Sequence, residues 1–293
     1  MKKVRSPESR LAVVAWLCAV VIASQGFAPA ALAQKLKPEE IVAKHLDSVG
    51  SAETRASIKS RLIAGTAGAV FRSPVVGQVA GRAVLVSEGE MHVIAMAFPD
   101  SPNYPHEKIG FDGSDVSASY VQPGLRSTLG EFLLVNKNVI KHGLMGGSLS
   151  TAWPLYGPAE RMGKMDYAGK KKVGEREAYE VKYNPRGGSD LRVSLFFDAE
   201  TFQHVRTEYT RTTAAQMGSS PETSAQQTEA RYRLVEDFSD FRKETGLTLP
   251  HAYKLSLEIR SQVRSVTAQW SMTLDQFAFN QKIAPKVFDV DDK

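Results

Sequence analysis

Alternating apolar and polar residues dominate the chain from residue 61 onward, and this period-two pattern predicts β-strands. Apolar residues alternate at positions 84–86 before the segment SEGE and at positions 91–95 after it, which predicts a hairpin. The dipeptide Asp112-Gly113 marks a second hairpin. Further strands are predicted at YEVKYNP, LRVSLFF, HVRTEYTR, EARYRLVEDF, AYKLSLEIR and SVTAQWSMTLDQFAFN. About ten strands, mostly in sequential hairpins, predict a mainly β chain built on a large antiparallel sheet or an open barrel, with helices packed on one side.

Helical spacing comes before the strands, in the segment KLKPEEIVAKHLDSVGS. Pro38 suits the first position of a helix, and Gly50 suits the left-handed position that ends one. Ile41, Val42, Leu46 and Val49 form one apolar stripe, so this helix is expected to pack on the sheet. His45 lies beside the stripe, where a core or boundary histidine is far more common than a ligand.

A second helical pattern interrupts the strands in LRSTLGEFLLVNKNVIKHGL, residues 125–144. Its apolar positions include Phe132 and Leu133, and the glycine-containing segment MGGSLS follows it. A helix with an apolar face, placed between strands and hinged by Gly146 and Gly147, fits a lid. An ordinary helix that covers the sheet fits the same pattern.

The first 33 residues have the pattern of a secretory signal peptide. Four basic residues and the 13-residue apolar run 11–23 come before Ala31-Leu32-Ala33, a small-residue cleavage site. This run is shorter than the roughly 20 residues that a membrane-spanning helix needs. Cleavage is therefore expected after Ala33.

Charge and cysteine content follow from that expected cleavage. The chain has a formal charge of +5, but its first 33 residues hold four basic residues and one acidic residue, which leaves +2 for residues 34–293. Nucleic-acid binding is not expected at so small a charge. Cys18 is the only cysteine and lies in the leader, so the secreted chain has no disulfide and depends on its core.

The segment Thr212–Glu229 is rich in Ser, Thr, Gln and Ala and poor in bulky apolar residues. It can bury little apolar surface, which predicts a mobile loop inside a hairpin. Nothing else in the chain indicates a domain boundary. Residues 34–293 are accordingly expected to form a single domain.

The stretch LFFDAETFQHVRTEY, from Leu195 to Tyr209, places Asp198, Glu200 and His204 within seven residues. Apolar alternation stops at Asp198 and resumes after the segment DAET, and Asp and Thr commonly form turns. This predicts a hairpin tip. His204 is expected on the more polar face of the returning strand, and no metal site is expected here.

Other catalytic and metal-binding motifs are missing from the sequence. The six histidines show no i, i+4 pair on a helix and no short-spaced partner, so no zinc signature is present. There is no G-x-S-x-G elbow, phosphate loop or G-x-G-x-x-G turn. No catalytic, cofactor-binding or metal-binding residue is therefore assigned, although a hydrolase with dispersed catalytic residues stays an alternative.

The large apolar residues of the predicted strands can line a cavity. An open sheet that helices cover only in part leaves space for side chains or for a ligand. Candidate wall residues are Val193, Leu195, Phe197, Leu255, Leu257, Ile259, Trp270 and Met272, with Phe132 and Leu133 on the facing helix. The alternative is that these residues are ordinary core.

The order of several segments resembles the LolA/LolB-like outer-membrane lipoprotein-sorting family of Gram-negative bacteria. The segments are EEIVAKHLDSVGS, KVGEREAYEVKY, LFFDAETF, YRLVEDFSDFRKETGLTLPHAYKL and KVFDV, and they span most of residues 37–290. The resemblance implies a half-open antiparallel β barrel curved around an α-helical lid, with acyl chains held in an apolar cavity. It further implies neither a cofactor nor catalysis, and the signal peptide is the reason to expect a periplasmic location.

The leading hypothesis is a periplasmic protein that binds or carries a lipid or an acylated lipoprotein. A membrane-associated donor or acceptor protein is an expected partner, whereas nucleic acid and metal are not. A cell-envelope scaffold with a filled core is the alternative. An elongated apolar cavity favours the carrier, a closed core favours the scaffold, and converging polar groups in a cleft favour an enzyme.

Overall fold

A twelve-stranded antiparallel sheet organises the part of the chain that the structure describes. The structure is a computed structural model, and it describes residues 36–74, 76–158, 161–213, 229–262 and 265–290. The expected signal peptide and most of the loop expected at Thr212–Glu229 lie outside these residues. In the described ranges, no helix combines the length and the apolar character needed to cross a membrane.

The strands follow one another as two meanders. The strands are β1 Ser60–Ser73, β2 Gly77–Glu88, β3 Met91–Ala97, β4 His106–Phe111, β5 Val116–Ala118, β6 Tyr120–Gln122, β7 Leu125–Arg126, β8 Lys164–Val173, β9 Arg176–Asn184, β10 Arg192–Asp198, β11 His204–Thr213, β12 Ala230–Glu244, β13 Leu247–Arg260 and β14 Ser265–Phe279. The large sheet has the order β5-β4-β3-β2-β1-β14-β13-β12-β11-β10-β9-β8, and β6 pairs with β7 separately. The edge strands β5 and β8 are not paired with each other, so the sheet is open.

The sheet bends around the helices on one of its faces, called here the inner face. Glu236 on β12 accepts a hydrogen bond from the backbone of Gly146, and a Cβ atom placed on Gly146 would lie 4.0 Å from Ile94 on β3. Five strand spacings separate β3 from β12, or roughly 24 Å on a flat sheet. Only a curved sheet brings both to one residue. The half-open antiparallel architecture predicted from sequence is confirmed, with twelve strands in the large sheet instead of about ten.

Both predicted hairpins are confirmed. Glu88 pairs with Met91 across the turn between β2 and β3. Asp112 follows β4, and its Oδ1 accepts hydrogen bonds from the backbone N–H groups of Ser114 and Asp115, both at 2.7 Å. The short polar side chain thus closes the turn, as aspartate commonly does.

The predicted first helix is confirmed as α1, Pro38–Val49, and α2, Ala52–Ser57, follows it. Proline occupies the first turn of α1, where a missing N–H costs no hydrogen bond. Of the apolar stripe, Ile41, Val42 and Val49 are buried and Leu46 is half-buried, and His45 is buried beside them at 1% exposure. His45 is therefore a core residue.

The continuous helix expected over residues 125–144 is wrong in its bounds. Leu125 belongs to strand β7 and is 55% exposed, because Ser127 begins the helix by accepting a hydrogen bond from Gly130 N–H at 2.8 Å. The helix then divides into α3, Thr128–Val135, and α4, Asn138–Lys141. Asn136 lies at the division, and its side-chain amide donates to Phe132 O at 2.7 Å. This side-chain hydrogen bond competes with the backbone hydrogen bonds that would continue the helix, which fits the end of α3 at this point.

Residues 127–157, the first part of the connection between β7 and β8, are called here the helical insert. After α4 it continues through two 3-10 turns, Gly147–Leu149 and Pro154–Tyr156. Together with α1, it packs on the inner face in the main hydrophobic core. A smaller cluster lies on the other, outer face, where Phe288 and Val290 next to the 3-10 turn Pro285–Val287 pack on Val86 and Val93.

Candidate functional site

The residues predicted to line a cavity come together on the inner face. Alternate positions of β10, β13 and β14 point them to one side of the sheet, as the period of two requires. All belong to the main core cluster at 0–9% exposure: Phe132, Leu133, Val193, Leu195, Phe197, Leu255, Leu257, Ile259, Trp270 and Met272. In this structure the helical insert and α1 cover them.

An opening lies between the helical insert and the sheet, and it is called here the mouth groove. Its volume is about 250 Å³. Its lining residues are Thr128, Glu131, Phe132, Val135 and Asn136 from the insert with Arg211, Thr213, Tyr232 and Ile259 from the sheet. Phe132 stacks on Tyr232 at 6.2 Å between ring centroids, and Val135 at the rim is 68% exposed. The groove is smaller than a typical ligand pocket of roughly 300–1,000 Å³.

A buried carboxylate fastens the middle of the insert to the sheet. Glu236 is 0% exposed, and its Oε1 accepts from Gly146 N–H at 2.8 Å and from the Tyr253 hydroxyl at 2.5 Å. Its Oε2 accepts from the Tyr209 hydroxyl at 2.7 Å. Burial raises the pKa of Glu236 to about 7, while the three donors act against that rise.

A buried arginine holds the insert two residues further along. Arg61 on β1 is 2% exposed, and its guanidinium donates to the backbone oxygen of Ser148. Tyr156 donates its hydroxyl to the same oxygen at 3.2 Å, and its ring lies 5.2 Å from the guanidinium carbon. Within the described part of the chain, no carboxylate forms an ion pair with Arg61. A buried cation without a counterion has a high desolvation cost, so loss of the Ser148 acceptor would be strongly destabilising. The bond to Arg61 therefore holds the insert firmly at Ser148.

A second buried glutamate lies under the start of the insert. Glu107 on β4 is 0% exposed, and its Oε2 accepts from the Tyr104 hydroxyl at 2.5 Å. That hydroxyl accepts in turn from the indole N–H of Trp270 at 2.8 Å. Burial raises the pKa of Glu107 to about 7. Trp270, a predicted wall residue, is thereby fixed in orientation by a polar partner.

Two buried histidines lie on the inner face beside the insert. The rings of His45 and His204 are 6.1 Å apart, and Trp153 stacks on His204 at 4.9 Å. His204 Nε2 shares a hydrogen bond of 2.9 Å with the Thr207 hydroxyl. Burial lowers the pKa of His45 to about 4 and that of His204 well below its usual value. Both rings are therefore neutral at pH 7.

The position of His204 corrects the sequence prediction that it lies on the more polar face. It is 1% exposed and faces the core. The register between β10 and β11 shifts at this point, because Phe197 pairs with His204 whereas Phe196 pairs with Arg206. This bulge at Val205 changes the alternation by one residue, and simple counting back from Thr207 then gives the wrong face.

The hairpin tip predicted at DAET is confirmed. Asp198 Oδ1 accepts from the backbone N–H groups of Glu200 and Thr201 at 3.0 and 2.8 Å and from the Thr201 hydroxyl at 3.0 Å. These bonds lower the pKa of Asp198 against the effect of its burial. Among the described residues, no group of three His, Cys, Asp or Glu side chains is arranged to hold a metal ion.

Sequence reasoning missed the anchors, although a signal for one of them was present. Glu236 shares alternation with Leu234 and Phe238, so period two alone places a glutamate on an otherwise apolar face. Arg61 gives no such signal, since its partner is a backbone oxygen 87 residues away.

No protein-family model and no curated protein matches the chain. Among solved structures, it is similar to a LolA superfamily protein from Nitrosomonas europaea, with 10% identity, a TM-score of 0.45 and coverage of 87% of this chain and 98% of that one. It is also similar to a DUF1329 family protein from Desulfovibrio piger, with 9% identity, a TM-score of 0.47 and coverage of 85% of this chain and 96% of that one. A third similar structure is an outer membrane lipoprotein-sorting protein domain from Vibrio parahaemolyticus. The identity is 8%, the TM-score is 0.45, and the match covers 85% of this chain and 95% of that one.

Proposed function

We propose that residues 34–293 form a single periplasmic domain that binds or carries the acyl chains of a lipid or an acylated lipoprotein. The observation that carries the proposal is the mouth groove, which opens between Phe132 and Tyr232 at the edge of the main apolar core. An acyl chain that enters there gains burial worth about 0.8 kcal/mol per methylene. No polar anchor is needed for such binding, and no catalytic residue is assigned.

The closed groove is too small for a long acyl chain, so the insert has to move. Its two buried anchors lie together in its middle, after α4, since Glu236 holds Gly146 and Arg61 holds Ser148. The helices α3 and α4 precede these anchors, and α3 packs on the core through Leu129, Phe132 and Leu133. A ligand chain can replace such apolar contacts at little net loss, whereas it cannot replace the buried hydrogen bonds.

Three glycines give the backbone freedom between the moving and the fixed part. Gly143, Gly146 and Gly147 have positive φ values of 66°, 81° and 48°. Glycine adopts this region without the steric cost that other residues have. In this proposal α3 and α4 swing about residues 143–147 as a lid, and the predicted wall residues on β10, β13 and β14 become the acyl-chain site.

Uptake of a fluorescent fatty acid by the Phe132→Ala variant tests the proposal. Loss of the contact with Tyr232 weakens closure, so we expect uptake to become faster or tighter, with a shift in Trp270 emission. Phe196→Ala is the matched control, because Phe196 is also 5% exposed but lies outside the main core cluster. Lower stability in both variants with no uptake by either one or by the wild type would refute the carrier proposal.

The second candidate is a cell-envelope scaffold, and the filled core favours it. Every predicted wall residue is at most 9% exposed beneath the insert and α1. A scaffold needs no lid movement, so a chemical crosslink between α3 and β12 has no effect on its partner binding. For a carrier, the same crosslink abolishes uptake of the acyl chain. Native mass spectrometry of protein isolated from the periplasm separates the two further, since only a carrier retains lipid.

A further inference from the structure

A cavity of about 730 Å³ lies against β2, β3 and β4, and it is called here the outer cavity. Its floor is formed by Val84, Ala95 and Ala97, and Val290 from the C-terminal segment borders it. Val84 and Ala95 are paired across β2 and β3 and pack with the outer cluster, so the floor belongs to the outer face of the sheet. The volume is within the usual range for small-ligand sites. This cavity is separate from the mouth groove in its lining residues.

Three cationic side chains surround this apolar floor: Arg82 on β2, Lys108 on β4 and Arg126 on β7. In the described residues none of the three forms an ion pair with a carboxylate. Lys108 donates to the backbone oxygen of Asp289 at 2.6 Å, and Arg126 lies 3.9 Å from the centre of the Tyr120 ring. These contacts hold the two side chains in place without neutralising them.

The other titratable residues that line the outer cavity are His106, Glu107 and Tyr120. His106 Nε2 is bonded to the backbone oxygen of Tyr120 at 2.9 Å. Glu107 is 0% exposed, and its carboxylate is directed to Tyr104 in the core. Positive charge therefore dominates the rim that solvent reaches.

We propose that the outer cavity binds a small amphiphilic anion, with a phosphate or carboxylate headgroup at the three cations and an apolar part on the floor. A phosphate or carboxylate forms short, charge-assisted hydrogen bonds with guanidinium and ammonium groups. The apolar part of the ligand removes the valine and alanine floor from water. The site lies on the opposite face of the sheet from the proposed lid, so it stands independently of the proposed function.

Isothermal titration calorimetry with n-octyl phosphate tests this site. Arg82 is exposed, so Arg82→Gln removes one cation without disturbing the core, and we expect affinity to fall about fivefold to tenfold. Arg72→Gln is the matched control, because Arg72 is also exposed and lies outside the cavity. Equal affinities of the two variants would show that octyl phosphate does not use this site.

Two further probes test both parts of the ligand. Octyltrimethylammonium carries the same chain with the opposite charge and is expected not to bind, and inorganic phosphate, without a chain, is expected to bind at least tenfold more weakly than octyl phosphate. Ala95→Phe fills the floor and should remove the advantage of octyl phosphate over inorganic phosphate. Phe132→Ala should leave octyl phosphate binding unchanged, because Phe132 lines the mouth groove and does not line the outer cavity. Equal binding of octyl phosphate and inorganic phosphate, or loss of octyl phosphate binding in Phe132→Ala alone, would overturn the proposal.

Discussion

The carboxylate of Glu236 accepts a hydrogen bond of 2.8 Å from the backbone N–H of Gly146, 90 residues earlier in the chain. This bond joins a central strand of the sheet to the glycine segment of the helical insert. It lies in a fully buried environment, where the loss of one partner leaves the others unsatisfied. The position of the insert therefore depends on one side chain of β12.

Replacement of Glu236 by alanine is expected to lower the free energy of unfolding by about 3 kcal/mol. Gly146 N–H and the hydroxyls of Tyr209 and Tyr253 would each lose their acceptor. Glu236→Gln keeps one acceptor oxygen of similar shape and should cost less. Urea unfolding measures both variants, and equal losses would contradict the role of the carboxylate as an acceptor.

The pKa of Glu236, raised by burial to about 7, predicts a pH-dependent contribution to stability. The folded state favours the protonated carboxyl, so this contribution is complete below the unfolded pKa of about 4.5 and is lost as pH rises to about 7. Glu236→Gln cannot titrate. Its free energy of unfolding, relative to that of the wild type, should rise between pH 4.5 and pH 7. A constant difference over this window would contradict the raised pKa.

The buried histidines His45 and His204 act in the opposite direction. Burial lowers the pKa of His45 to about 4 and that of His204 well below 6.5, so each stabilises the fold at neutral pH and loses this contribution as pH falls from 6.5. The effects of Glu236 and of the two histidines on stability oppose each other over overlapping pH ranges. The stability of the wild type therefore changes less with pH than either effect alone would make it change. The His204→Phe variant removes one of these two histidines. Unfolding measured at pH 7 and pH 5 should show less acid destabilisation than in the wild type, and equal acid destabilisation of the two proteins would contradict the lowered pKa of His204.

Patterning predicted the sheet, the hairpins and α1 because each follows from periods of two and 3.6 within one segment. The same pattern gave wrong or incomplete predictions where a single residue alters the period, or where the position of a side chain depends on a partner that is distant in sequence. The bulge at Val205 moved His204 from the expected polar face into the core. Ser127 began α3 later than the apolar positions indicated. The anchors Glu236 and Arg61 bond to partners 90 and 87 residues away in the sequence, and a pattern within one segment cannot predict such contacts.

The glycine at position 143 gives the last test, because its backbone and its surroundings both exclude a side chain. Its φ is +66°, and a Cβ atom there would lie 2.0 Å from the backbone oxygen of Ala152. Gly174, in the turn between β8 and β9, has a similar φ of +63° with nothing within 4 Å of the same atom. Gly174→Ala should therefore cost only the left-handed strain of about 1 kcal/mol, while Gly143→Ala should cost more than about 3 kcal/mol. If thermal unfolding shows equal losses for both variants, the insert is not packed closely against Ala152 at residue 143.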